Sequence, residues 1–219
     1  MEPDYAQAHA WHAYWHLFLV GQGWADDEAA SMREAERLAR HASALDPMDA
    51  QALAIHGHVR AFLHHQVQEA AELHARALAL NPNLAMAWVF SGMAESYLGR
   101  HEAALAQFDR YAALSPCHPH AFFFDAGRGI PLLMLRRHAE AAAVGRACVA
   151  LRPGFSYPYK TYPSALGHLG ERAEASRLRD QLLEIEPDFS VAKALRRTPV
   201  YGEADRAHYA AGLRLAGLH

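Results

Sequence analysis

Cysteine and lysine are scarce in this 219-residue chain, with two of each. Cys117 and Cys148 cannot form a disulfide framework and their spacing does not suggest a zinc ribbon, so the composition favours a reducing compartment. No uninterrupted apolar run reaches the ~18 residues of a membrane span. Met1-Glu2-Pro3-Asp4 lacks the positive start and apolar stretch of a secretory signal. A formal charge of −3 and a pI near 6.6 exclude the strongly basic surface that condenses on nucleic acid or anionic lipid. The nearest approach to a basic cluster is the pairs Arg136-Arg137 and Arg196-Arg197. These absences predict a cytoplasmic protein with no nucleic-acid or membrane partner.

Catalytic signatures are absent as well. There is no G-x-x-x-x-G-K-S/T phosphate loop, no G-x-G-x-x-G turn and no G-x-S-x-G nucleophile elbow. Gly127-Arg128-Gly129 falls in a predicted helix instead of a strand-to-helix turn and is a poor phosphate cradle. The paired carboxylates Asp26-Asp27 and Glu184 with Glu186 read as solvated charges. No enzyme activity and no cofactor are predicted.

What is abundant points to helices. The chain holds 46 alanines and 19 arginines, both strong helix formers, and its 52% hydrophobic and 21% charged residues place it among folded globular chains. Five prolines, Pro47, Pro82, Pro116, Pro153 and Pro187, follow one another at intervals of 35, 34, 37 and 34 residues. Each closes an Ala/Leu-rich stretch such as Leu78-Ala79-Leu80-Asn81 or Ala112-Ala113-Leu114-Ser115. Proline ends a helix there because it disfavours helical geometry in the residue before it.

On these residues the chain resembles the tetratricopeptide (TPR) family, whose helix-turn-helix unit repeats every 34 residues with small and aromatic residues at set positions. Trp88, Gly92, Gly99, Ala104, Phe108 and Pro116 occupy the matching slots of the third unit, with Glu95 in place of the family's tyrosine. Ala35, Ala70, Ala141 and Ala175 keep the small slot of the second helix elsewhere, whereas His58 and Pro163 replace the glycine of the first helix. More narrowly, Leu80-Asn81-Pro82, Leu114-Ser115-Pro116 and the stretch Tyr209 to Leu218 resemble the C-terminal TPR arrays of bacterial class III nucleotide cyclase-like and winged-helix regulatory proteins.

The resemblance implies an all-α, right-handed superhelix of about five hairpins over residues 1–197, with units near 4–47, 48–82, 83–116, 117–153 and 154–187 and a short following helix. Residues 198–219 are expected to cap it. Met1-Glu2-Pro3-Asp4 reads like the end of an earlier unit. The first repeat carries about ten extra residues, expected in its inter-helix loop at Gly21 to Asp27.

The family's first helices line the inner face of the array. The corresponding slots here include Ile55, Val59, Phe62, Met86, Val89, Met93, Tyr97, Phe123, Ile130, Met134, Tyr157 and Lys160. They are mostly apolar, which argues against capture of a carboxylate tail, a task that needs Lys, Arg and Asn. The expected function is a non-catalytic scaffold that holds an apolar peptide, helix or partner segment, with self-association as a second form of partnership. Charges placed at Met93 and Met134 are expected to abolish guest binding without unfolding the array. The alternative is that curvature buries these side chains between hairpins.

Two further features carry alternatives. Pro131 and Pro163 lie inside predicted first helices, where each removes a ladder bond. The kinks could open a pocket walled by Phe122, Phe123, Phe124, Tyr157, Tyr159, Lys160 and Tyr162, the basis of a small-molecule sensor reading. Sixteen histidines invite a metal-dependent enzyme reading, with His12 and His16 one helical turn apart and His9 nearby. No carboxylate stands beside them as a third ligand, and no metal is assigned. Cys117-His118-Pro119-His120 reads as a longer inter-repeat loop, with a metal-binding or oxidisable thiolate–imidazole pair as the alternative.

Overall fold

The computed structural model describes residues 4–200 and 202–219. The expectation for the first three residues lies outside that range. Among the described residues there are thirteen α-helices and no strand. They run in order as α1 (Ala6–Gln22), α2 (Glu28–Leu45), α3 (Ala50–His64), α4 (Val67–Leu80), α5 (Ala85–Tyr97), α6 (His101–Leu114) and α7 (Ala121–Gly127). Then come α8 (Gly129–Met134), α9 (His138–Leu151), α10 (Pro158–Leu169), α11 (Arg172–Ile185), α12 (Val191–Arg197) and α13 (Glu203–Leu215). Among the described residues no helix is long and apolar enough to cross a membrane.

The local chemistry explains the helix ends. All five periodic prolines fall just after a helix, in the turn that leads to the next pair. Asp27, Asp49 and Ser190 cap α2, α3 and α12 by accepting from the amides of Ala30, of Gln51 and Ala52, and of Lys193. Turns within helix pairs pass through the left-handed region at Gly23, His65, Gly99, Arg136 and Gly170. Glycine takes this conformation freely, whereas His65 and Arg136 adopt it at a cost of about 1 kcal/mol each.

Two compact units divide the chain. One runs to Ala94 and takes in Asp109–Pro116; the other holds Glu95–Phe108 and Cys117–His219. In the first, α1 packs on α2 and α3, and α3 packs on α4. Ala35 and Ala70 are fully buried where the helices approach, as small-residue slots require. Gly57 has a further reason to be small: a Cβ there would sit 2.5 Å from Nε2 of the buried His74. The extra residues of the first repeat are only partly in the loop. The connection 23–27 has five residues against two at 65–66, but most of the extra length is in the helices, since α1 and α2 have 17 and 18 residues against 15 and 14 in α3 and α4. Continued alanine-rich periodicity lets the ladder extend, leaving only a short connection around Trp24.

In the second unit, α10 is the central helix and packs against α8, α9, α11 and α13. Ala141 and Ala175 are buried, and a Cβ on Gly145 would stand 2.4 Å from Cβ of Tyr162. The α10–α13 crossing is closer still, because a Cβ on Gly167 would meet the Gly212 carbonyl at 2.2 Å. Two facing glycines are what allow the backbones to touch. Ser164 Oγ then donates across the crossing to the Tyr209 carbonyl at 3.1 Å.

Candidate functional site

The first unit carries a line of aromatic rings over its inner helices. Trp11, Tyr14 and Phe18 recur at i, i+3 and i+7 on α1 and therefore share a face. Their rings meet edge to face, with centroids 5.5 Å apart for Trp11–Tyr14 and 4.9 Å for Tyr14–Phe18. Tyr14 reaches Phe90 of α5, which stacks on His58 of α3 at 4.1 Å, and His58 stacks in turn on Phe62. Tyr14, His58 and Phe90 form a buried floor, whereas Phe18 and Phe62 are half-buried and Trp11 is 41% exposed. Trp15, one turn beyond Trp11, is 55% exposed, and Trp24 and Tyr5 are exposed nearby in sequence. This concentrates large aromatic surface in the first unit.

The twelve residues assigned to the inner face divide unevenly. Ile55, Val59, Met86, Val89, Met93, Tyr97, Phe123, Ile130 and Met134 are buried, and only Phe62, Tyr157 and Lys160 remain half-buried. The alternative of burial between helices is therefore the one observed for nine of them. Met93 is 1% and Met134 6% exposed, so a charge at either would be buried without a partner and unfold its surroundings, contrary to the sequence expectation.

Both interior prolines were expected to kink or break their helices, with a pocket as the alternative that would follow, and the second unit shows different behaviour at each. Pro131 separates α7 from α8 at Arg128, whose amide reaches back only three residues to the Asp125 carbonyl. Pro163 sits inside an uninterrupted α10. The supposed walls fill the space themselves. Phe122 and Phe123 pack on Phe155, and Phe123 packs on Tyr157 at 5.4 Å. Tyr159 donates to the Pro153 carbonyl at 2.9 Å, and Tyr162 donates to Glu174. Lys160 is held by Glu186 at 2.8 Å, and Glu186 also faces Arg197 at 3.3 Å. Burial depresses the Lys160 ammonium, and the Glu186 carboxylate opposes that shift.

Between α2, α3 and α4 lies a cavity of about 380 Å³ lined by Glu36, Arg40, His56, Arg60, Glu69, Glu72, Leu73 and Arg76. Arg60 pairs with Glu36 at 2.9 Å and also with Glu69, and Ser43 Oγ lies 3.1 Å from Nδ1 of His56. Charges of both signs meet here, so the cavity has no dominant sign with which to select an ion.

The histidines are distributed differently from the sequence expectation. His12 and His16 do approach, with ring centroids 5.0 Å apart, but His9 turns instead to His41 at 4.7 Å. His118 and His120 pack on Phe124 beside the exposed Cys117. His58 and His74 are buried in the first unit, and desolvation pushes each down to about 3. In the second unit His138, His168 and His208 come together from α9, α10 and α13. Their sequence separations of 30 and 40 residues carry no spacing signal, which is why sequence reasoning missed them. Burial, then the neighbouring imidazole of His168 and Arg136, holds His208 down to about 4.

No protein-family model matches the chain, and no curated protein sequence matches it. Solved structures do. PilW, a widely conserved type IV pilus biogenesis factor, superposes with a TM-score of 0.65 at 18% identity, over 93% of this chain and 90% of that one. PilF of Pseudomonas aeruginosa gives 0.63 at 18%, over 94% and 88%. YrrB, a TPR protein with an unusual peptide-binding site, gives 0.52 at 20%, over 77% and 84%. The fold is all-α and of the TPR type.

Proposed function

We propose that the chain is a non-catalytic protein-interaction scaffold, and that the α1–α3 aromatic line in the first unit is where an apolar segment docks. The observation that carries this reading is the exposure of Trp11 with half-buried Phe18 and Phe62 over the buried floor of Tyr14, His58 and Phe90. Aromatic side chains with little rotamer freedom, seated on a rigid floor, are the usual anchors of binding energy in interfaces. Helical anchors spaced at i, i+3 and i+7 suit the apolar face of an amphipathic helix. The peptide-binding site named for YrrB, a protein of the same fold, supports a peptide guest here. Of the residues assigned from sequence, Phe62 belongs to this surface, while Tyr157 and Lys160 lie half-buried in the second unit.

Peptides selected from a random display library against the purified chain test the proposal, with tryptophan emission as the readout. Selected sequences are expected to carry Leu, Met or aromatic residues at helical spacing. Replacing Trp11 and Phe62 together by alanine is expected to weaken binding at least tenfold with the helical circular dichroism unchanged. Binding that survives the double replacement, or that depends on a free peptide carboxylate, refutes the assignment. Sedimentation across a concentration series shows whether a second copy of the chain is itself a partner.

A further inference from the structure

We infer that His138, His168 and His208 constitute a binding site for a single divalent transition-metal ion of the zinc class. His138 opens α9, His168 lies in the last turn of α10 and His208 projects from the middle of α13. Each offers a ring nitrogen within 4.8 Å of the other two, and among the described residues this is the one such group of three or more histidine, cysteine or carboxylate ligands.

One pair of nitrogens already has a separation that a shared ion can span. Nε2 of His138 and Nε2 of His208 are 3.1 Å apart. At a metal–nitrogen distance of about 2.05 Å, that separation subtends an angle of about 98° at a shared ion, between octahedral and tetrahedral values. The third ring has its tautomer set. Nε2 of His168 donates to the His208 carbonyl at 3.0 Å, which places its proton on Nε2 and leaves the lone pair on Nδ1. A ligating histidine is commonly held this way, by a backbone carbonyl on its other nitrogen. Binding requires the rings to move. His168 is stacked on His138 at 4.6 Å and on His208 at 3.8 Å, with planes 13° and 7° apart, and the planes of His138 and His208 are 20° apart. A metal must lie in the plane of each ring it binds, so rings turn out of this stack when the ion enters.

Three imidazoles without a thiolate or carboxylate form a nitrogen-only set. Such a set prefers zinc, cobalt, nickel or copper to calcium or magnesium, which take oxygen. Three protein ligands leave a position for water. Because the ligands come from three helices, the ion would tie α13 to the α9–α10 pair.

Zinc titration of the full, untagged chain, stripped of metal by chelation, tests the inference by calorimetry, with cobalt absorption as a second reading. One equivalent is expected to bind. His138→Ala and His208→Gln are each expected to weaken it at least tenfold, and the double replacement His12→Ala with His16→Ala to leave it unchanged. A measurement on the unaltered protein guards against misfolded variants: zinc is expected to shift the side-chain nitrogen resonances of three of the sixteen histidines. No binding at 100-fold excess zinc over protein, loss of binding in the His12/His16 variant, or shifts confined to other histidines overturns the site.

Discussion

Acid should destabilise the first unit well before its carboxylates titrate, because two imidazoles are buried there as neutral groups. His58 is 1% and His74 0% exposed, and burial pushes both from an ordinary value of 6.5 down to about 3. Well above pH 6.5 neither the folded nor the unfolded chain protonates these rings, and they contribute no pH dependence. Between 6.5 and about 3 the unfolded chain takes up two protons that the folded chain refuses, so stability falls as pH falls. Each proton is worth about 1.4 kcal/mol per pH unit once titration is complete. From pH 7 to pH 5 the two rings together should remove about 4 kcal/mol, a large share of the ~5–15 kcal/mol typical of a domain. Urea unfolding followed by tryptophan emission reads the right unit, since Trp11, Trp15, Trp24 and Trp88 all lie in it. Other depressed histidines, such as His16 and His56, act with the same sign. The control is therefore a His58→Phe, His74→Leu variant, whose loss over the same pH range should be about 4 kcal/mol smaller. An equal loss in that variant and in the unaltered chain would refute the reasoning.

Further tests address the second unit and the thiols. Glu186→Gln leaves Lys160 and Arg197 without their shared carboxylate in a buried setting and should cost about 3–5 kcal/mol in urea unfolding, whereas a loss below 1 kcal/mol would mean that the ion triad is solvated. Burial pushes the Cys148 thiol up to about 12, while Cys117 is exposed. A thiol reagent at pH 8 should therefore titrate one cysteine per native chain and two after denaturation.

Much of the fold was legible because its signals are local. A proline limits the residue before it whatever surrounds it, so the five periodic prolines mark helix ends directly. Small-residue slots at Ala35, Ala70, Ala141 and Ala175 read correctly because only a small side chain fits where paired helices touch, and all four are buried. The site was less legible. Apolar slots on a first helix look the same in one dimension whether they line an open face or the contact with the next helix. Met93 and Met134 were assigned to the first and belong to the second.

The sequence by itself determined the helical class, the repeat period and the turns, since these depend on steric rules acting over a few residues. Only the tertiary structure decided which apolar residues are reachable, that the first repeat lengthens its helices, and that Pro163 is carried within a continuous helix while Pro131 divides one. It also brought His138, His168 and His208 together and enclosed Lys160 with Glu186 and Arg197. Those outcomes rest on contacts between helices tens of residues apart, where packing distance determines both exposure and chemistry and local periodicity carries no record of it.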